Sequence, residues 1–330
     1  MLCLRPRTTP AGHLYLGINY HKGVSRNCGS TVGQKDERSM KTYYNDTFVA
    51  SEHNSETTRK SKEIADDLVA DPIRGLEVVD PNEFTDLAIE YINKVHDQDY
   101  VNAVRTGDPL DLATSQGFDW GPSLYPMAVA HTAGLIAATH EALSNNCTAG
   151  SLSSGLHHAS HGSGAGFCTF NGLGAAALYA MNTFNATRIL VLDFDAHSGG
   201  GTWDIIQRSM PQNVVQIDVS TSYFDSWTPE GESTLTHSDV EDYRQSIREA
   251  LDHARTLKPF DFVIYNAGMD PINDGVSEDV IGYRERAVRE FIGNTPAIFT
   301  LAGGYTWGGE TYEDITAWHR MTLNTWAQNQ

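Results

Sequence analysis

Basic residues are scarce in this chain: of its 330 residues, 23 are Lys or Arg against 42 Asp or Glu, a formal net charge of −19. That shortage argues against a duplex-DNA binder or a polybasic membrane-surface protein, since both need clustered cations to meet phosphates. Nucleic acid is not an expected partner. Long apolar runs are also missing, and nothing approaches the roughly 18 residues of a spanning helix, so no membrane span is expected. The four cysteines (Cys3, Cys28, Cys147, Cys168) lie far apart without a CxxC. Neither a zinc ribbon nor a disulfide framework is indicated, and a reducing cytoplasm is the expected location. The opening MLCLRPRTTPAGHLYLGINY puts two Arg and two Pro where a signal peptide needs an unbroken apolar run, and reads as mature sequence. Repeats, low-complexity tracts and a dividing linker are absent as well. What is present is 40% hydrophobic and 10% aromatic, enough to bury a sizeable interior. The acidity reads first as a solubility device and second as a field that draws in a cationic small substrate or a basic protein tail.

The expected organisation is a single domain over residues 1–330, with a polar excursion around residues 25–58 that carries little apolar periodicity. A surface loop is its first reading, an interface or a lid the others. Residues 14–20 are strand-like, and 57–69, 85–95 and 125–143 have the apolar spacing of helices. Beyond them short Ile, Val and Leu runs at 188–195, 213–219, 260–266 and 297–302 alternate with helical segments at 173–181, 243–256, 283–292 and 312–326. That alternation predicts an α/β fold with a mostly parallel, doubly wound sheet flanked by helices. In such sheets the ligand site lies beyond the carboxyl ends of the strands.

The first of these strand ends reads Asp193-Phe194-Asp195-Ala196-His197-Ser198. On an extended chain Asp193, Asp195 and His197 share one face, and two carboxylates with an imidazole leaving an apolar run call for a cation or dense hydrogen bonding. The strand at 260–266 runs into Gly268-Met269-Asp270. Asp195, His197 and Asp270 then make a three-ligand metal site with positions left open, the arrangement of catalytic metals, and zinc suits such N/O ligation. The strand at 297–302 runs into Gly303-Gly304-Tyr305, which presents a phenol donor at the same mouth. Upstream, the tandem His157-His158 sits in a Gly/Ser-rich loop with little apolar context and offers a general base. Two carboxylates neutralise much of a Zn²⁺ charge, so an imidazole base and an oxyanion donor are both useful there.

The segments GLHHA (155–159), GAGFCTFN (164–171), VLDFDAHSGGGT (191–202), NAGMDPINDG (266–275) and LAGGYTWGG (301–309) resemble, in order, those of the histone deacetylase superfamily, which includes acetylpolyamine amidohydrolases and shares the arginase-type fold. Weaker likeness covers Glu56–Arg59, His96–Val101 and Gly117–Asp119. The resemblance implies Zn²⁺, one per chain, on Asp195, His197 and Asp270, with K⁺ as a structural ion around Asp193, Asp195, His197 and Asp218-Val219. It implies that His157 pairs with Asp193, that His158 returns a proton to the leaving amine, and that Tyr305 polarises the scissile carbonyl. Phe167, with Gly166 and Gly304, would line the substrate channel, and Asp119 would accept substrate N–H groups at its rim. The implied reaction is removal of an acyl group, acetyl first, from an acyl-lysine side chain or an acetylated polyamine. Polyamine-acting members dimerise to narrow the channel, so a homo-oligomer fits the resemblance.

One departure stands out. The family usually follows its ligand His with a second His and, two residues later, an Asp or Asn that orients the second tandem histidine; this chain has Ser198 and Gly200. His158 is thus expected to lack a carboxylate partner, with Ser198, His161 or water as substitutes and a lowered pKa as the result. Three other readings follow: a catalytically weak deacetylase-fold protein that binds an acyl ligand, an amidohydrolase of another small acylated metabolite, and an arginase-like binuclear ureohydrolase needing further ligands.

Overall fold

The computed structural model describes residues 39–49 and 56–328. Eight strands, β1 (Met40–Tyr43), β2 (Leu76–Val79), β3 (Thr148–Ser151), β4 (Ile189–Asp193), β5 (Val214–Ser220), β6 (Thr234–His237), β7 (Phe262–Gly268) and β8 (Ala297–Ala302), form one sheet. Their order is β2-β1-β3-β8-β7-β4-β5-β6, and every neighbouring pair is parallel.

Period-2 alternation sorts the strand residues between two cores. Ile189, Val191, Phe262, Ile264 and Ile298 pack on one face against Leu124–Asn145, Gly172–Phe184 and the helices near them. Leu190, Leu192, Val263, Tyr265 and Phe299 pack on the other against Tyr243–Leu257, Glu278–Ile292, Tyr312–Ala327 and Glu56–Ala70. Both faces are covered, which is why these strands read as continuous apolar runs. The expected doubly wound parallel sheet is what is found.

The four strongly apolar strands and the seven helices expected within the described residues are present. Glu278–Ile292 starts five residues before the expected 283, with Glu278 and Asp279 in its first turn. The polar excursion at 25–58 needs correction: Met40–Tyr43 within it is a sheet strand paired on both sides, and Asp46–Phe48 is a short 3₁₀ helix. With Lys and Thr in a four-residue strand, it carries too little apolar signal to be read locally. The strand-like run at 14–20 lies outside the described residues.

Candidate metal centre and its histidine pair

Four adjacent strands in the middle of the sheet, β3, β8, β7 and β4, deliver the site from their carboxyl ends. Asp193 pairs with Asn266 in register, and Gly268 with Ala302, so the chain segments leaving β4, β7 and β8 emerge together. Asp195, His197 and Asp270 each turn a ligand atom into a space where all three lie within 4.8 Å of one another. His197 Nδ1 lies 3.2 Å from both Asp195 Oδ1 and Asp270 Oδ2. Burial makes these carboxylates costly when charged, yet the His197 contacts hold Asp195 well below the usual range. Asp270 is raised instead, by burial and by the neighbouring Asp195 charge. His197, although burial opposes it, is raised to about 11 by its bonds to the two acids. A buried pocket that draws a cation onto its imidazole to offset two carboxylates has the donor set and the charge for a divalent metal.

Glycine is what lets the walls close. At Gly268 a Cβ would come 2.1 Å from Asp195 Oδ2. Gly303, at φ +59°, would put a Cβ 1.3 Å from Asp270 Oδ1, and the next amide, Gly304 N–H, donates to that oxygen at 2.5 Å.

The tandem histidines sit beside this cluster, both buried, their rings 3.9 Å apart. His157 Nδ1 lies 2.7 Å from Asp193 Oδ2, and since a carboxylate only accepts, Nδ1 carries the proton. Asp193 Oδ1 accepts from Asn266 Nδ2 at 2.9 Å. Burial works against the imidazolium, but Asp193 outweighs it and raises His157 to about 9. His158 does have a carboxylate: its Nδ1 lies 2.8 Å from Asp225 Oδ2. This corrects the expectation of a missing partner. Ser198 pairs instead with Ser220, and His161 with the Val95 carbonyl. His158 is nonetheless lowered to about 4, by burial and then by the charge on His157, with Asp225 offsetting only part. The expected direction stands; its cause is different.

The histidines, the three metal-type residues, Gly166, Gly303 and Tyr305 line one pocket with Ser154, Leu156, Cys168 and Ala302, leaving about 30 Å³. The Tyr305 backbone is fixed at both ends by Asn273, and its ring stacks on exposed Trp307 at 4.2 Å. Phe167 and Gly304 do not line this inner pocket. Phe167, at φ +63°, packs on Phe118 with ring centroids 5.4 Å apart. Asp119 is exposed, one residue beyond Phe118. Asp193 stands behind His157, outside the pocket lining.

Reasoning from sequence missed Asp225 and two buried cations. Lys60 donates from Nζ to the Gly303 carbonyl at 2.9 Å, with burial lowering its pKa to about 8. Arg284 Nη1 donates to the carbonyls of Phe194, at 2.9 Å, and Gly268, at 2.6 Å, tying together the ends of β4 and β7 beside the Asp195, His197 and Asp270 cluster. A signal existed for both. Lys60 lies on the stripe of Ile64 and Leu68, and Arg284 on that of Ile281 and Val288, where a cation needs a buried partner.

Fold and site together define an α/β protein with a buried acidic, metal-type cluster at the carboxyl edge of its sheet. The model of the histone deacetylase domain matches residues 53–319, and the chain belongs to the histone deacetylase family. It is 28% identical over 189 residues to an uncharacterized protein of Picosynechococcus sp., covering 54% of this chain and 61% of that protein. It is 30% identical over 173 residues to histone deacetylase 2 of Arabidopsis thaliana, covering 47% of this chain and 43% of that one. The chain therefore spans less than two thirds of either relative. Among solved structures, an acetylpolyamine aminohydrolase from Burkholderia pseudomallei superposes with a TM-score of 0.69 at 19% identity, covering 87% of this chain and 98% of its own, a likeness of fold. No helix of the described residues is long and apolar enough to cross a membrane.

Proposed function

We propose that this chain is a zinc-dependent amidohydrolase that removes an acyl group, acetyl first, from an acetylated amine. The observation that carries this reading is the buried Asp195, His197 and Asp270 cluster opening onto the same pocket as a carboxylate-paired histidine couple and a tyrosine. Those three side chains would hold Zn²⁺, which when bound supplies Lewis-acid polarisation of the amide carbonyl and a more acidic water. His158 is neutral, with its Nδ1 proton on Asp225, so Nε2 is the ring nitrogen left to take a proton from water and return it to the departing amine. His157 keeps a proton on Asp193 and sets a positive charge beside the reacting carbonyl. Tyr305 donates its hydroxyl to the developing oxyanion. The small pocket suits an acetyl-sized group, Phe167, Gly166 and Gly304 would border the approach to it, and Asp119 would receive substrate N–H groups at the rim. K⁺ belongs to the proposal beside Asp193 and Asp218, where burial, with Asp193 close by, raises Asp218 to about 8.

The formal charge of −19 suits a cationic amine, so acetylated polyamines and acetyl-lysine tails are the substrates to try. Asp225 removes the main support for a catalytically weak binding protein, which rested on an unpartnered His158. A binuclear centre needs more ligands than the single cluster found among the described residues, and Asp274 is bound to Thr221 Oγ1. The test is acetate release from acetyl-lysine peptides and N-acetylated polyamines by zinc-loaded protein, with and without a hydroxamate chelator. Chelator-sensitive release is expected; its absence from both, with zinc measured in the protein, would refute the reading for acetyl substrates.

A further inference from the structure

We infer that Asp225, from the loop after β5, is the positioning residue of His158, and that Gly200 is a glycine because Asp225 fills the space beside it. The inference rests on the amidohydrolase reading for its catalytic part only.

Three observations meet at this carboxylate. His158 Nδ1 lies 2.8 Å from Asp225 Oδ2, and the same oxygen accepts Gly201 N–H at 3.1 Å, at the start of the helix Gly200–Ser209. The acid is thus anchored to the first turn of that helix while it holds the imidazole, and an anion is favoured there. Second, Gly200 has no room for a side chain: a Cβ would come 2.3 Å from the Asp225 carbonyl oxygen and 2.4 Å from Oδ1. The carboxylate that the sequence lacks at position 200 reaches the same imidazole from a different loop, and the two positions exclude each other sterically. Third, Asp225 sits at φ +57°, a left-handed conformation that non-glycine residues seldom adopt and Asp tolerates better than most. Its neighbour Phe224 packs edge-on to the His158 ring at 4.9 Å, so the loop grips the imidazole twice.

A carboxylate on Nδ1 fixes one tautomer and leaves Nε2 as a lone pair toward the pocket. Without it, the ring would lose its orientation and share the proton between both nitrogens. Because one oxygen of Asp225 accepts both hydrogen bonds, an asparagine with its amide oxygen in that place can satisfy both donors. An alanine can satisfy neither.

The test compares Asp225→Ala and Asp225→Asn in the full chain by two measurements. The first is the long-range ¹H–¹⁵N spectrum of [¹⁵N]histidine-labelled protein, zinc-free and zinc-loaded, with the His158 signal assigned from His158→Gln. Wild type and Asp225→Asn should show the Nδ1–H form, and Asp225→Ala a shift toward Nε2–H. The second is steady-state acetate release. Asp225→Ala should lose about 10- to 100-fold in kcat with KM and zinc content little changed, and Asp225→Asn should recover most of the loss. An unchanged His158 tautomer in Asp225→Ala, or a change confined to KM, would overturn the proposal. The tautomer measurement needs no turnover, so a wild-type protein that releases no acetate but loses Nδ1–H in Asp225→Ala would fail the hydrolase reading while supporting the pairing.

Discussion

Replacing Gly303 with alanine should damage the site by an amount that can be worked out from its surroundings. The substitution has two costs. One is the backbone: at φ +59° an L side chain costs about 1–2 kcal/mol. The other is collision, because the new Cβ would lie 1.3 Å from Asp270 Oδ1 and must drive that carboxylate off the Gly304 amide it accepts from at 2.5 Å. A hydrogen bond to a charged acceptor is worth about 1.5–3 kcal/mol, so the total is about 3–5 kcal/mol. Gly231 separates the two costs. It sits at φ +64° with nothing within 4 Å of the place a Cβ would take, so Gly231→Ala carries the backbone cost alone. By thermal unfolding, Gly231→Ala should lower Tm by about 1–3 °C and Gly303→Ala by about 4–7 °C. Zinc titration should find affinity intact in Gly231→Ala and reduced at least about 10-fold in Gly303→Ala. Equal Tm shifts, with equal zinc affinity, would refute the claim that this glycine exists to make room for Asp270.

Two imidazoles raised by carboxylates, His197 and His157, make metal-free protein less stable as pH rises, and the His157–Asp193 share can be isolated by mutation. His157 is raised from 6.5 to about 9, so its contribution of about 3 kcal/mol is fully present below pH 6.5 and lost as pH rises through 9. Urea unfolding across pH 6–10 should show that fall in wild type and a flatter curve in Asp193→Asn. His158 has the opposite sign: held near 4, it favours the folded state above pH 6.5 and ceases to as pH drops toward 4. For the reaction, Tyr305→Phe should cut kcat about 100- to 1,000-fold with zinc content unchanged, and a His158→Ala enzyme with normal turnover would disprove the assigned proton transfer. Gly200→Ala should push Asp225 away and bring kcat down toward that of Asp225→Ala, measured by the same acetate assay.

What could be read from the sequence was whatever is local in the chain. Period-2 spacing brought Asp193, Asp195 and His197 together on paper, and they do meet at the end of β4, although the strand stops at Asp193, and Asp195 and His197 follow it in a bend. The apolar runs that became β4, β5, β7 and β8 are buried on both sides and announce themselves. The strand β1 escaped notice because Lys41 and Thr42 interrupt it, and only pairing with β2 and β3 makes it a strand. Asp225 escaped for a different reason: it meets His158 across 67 residues with no spacing rule to connect them. Its hint was a carboxylate just past the carboxyl end of β5, next to a glycine-rich helix start. Lys60 and Arg284 were legible in principle, as charges on apolar helical stripes; the Lys60 partner is a backbone carbonyl that no side-chain pattern reveals, while Arg284 adds a buried ion pair with the neighbouring Glu285 to its backbone carbonyls.

The strand order β3-β8-β7-β4 has a consequence for how the molecule is made. Its neighbours in space are distant in sequence: His157 meets Asn266 across 109 residues, and Lys60 meets the Gly303 carbonyl across 243. Such high contact order delays assembly, since chain-closure entropy must be met before the distant pairings repay it. A nascent or truncated chain that has its helices but not β7 and β8 owns Asp195 and His197 without Asp270, half a cage. A slip of one residue between β4 and β7 would turn Asn266 from Asp193 to the opposite face. On the proposed reading, capture of a metal by all three residues would report that the sheet has closed in its correct register, and so would mark an end point for folding as well as a beginning for chemistry.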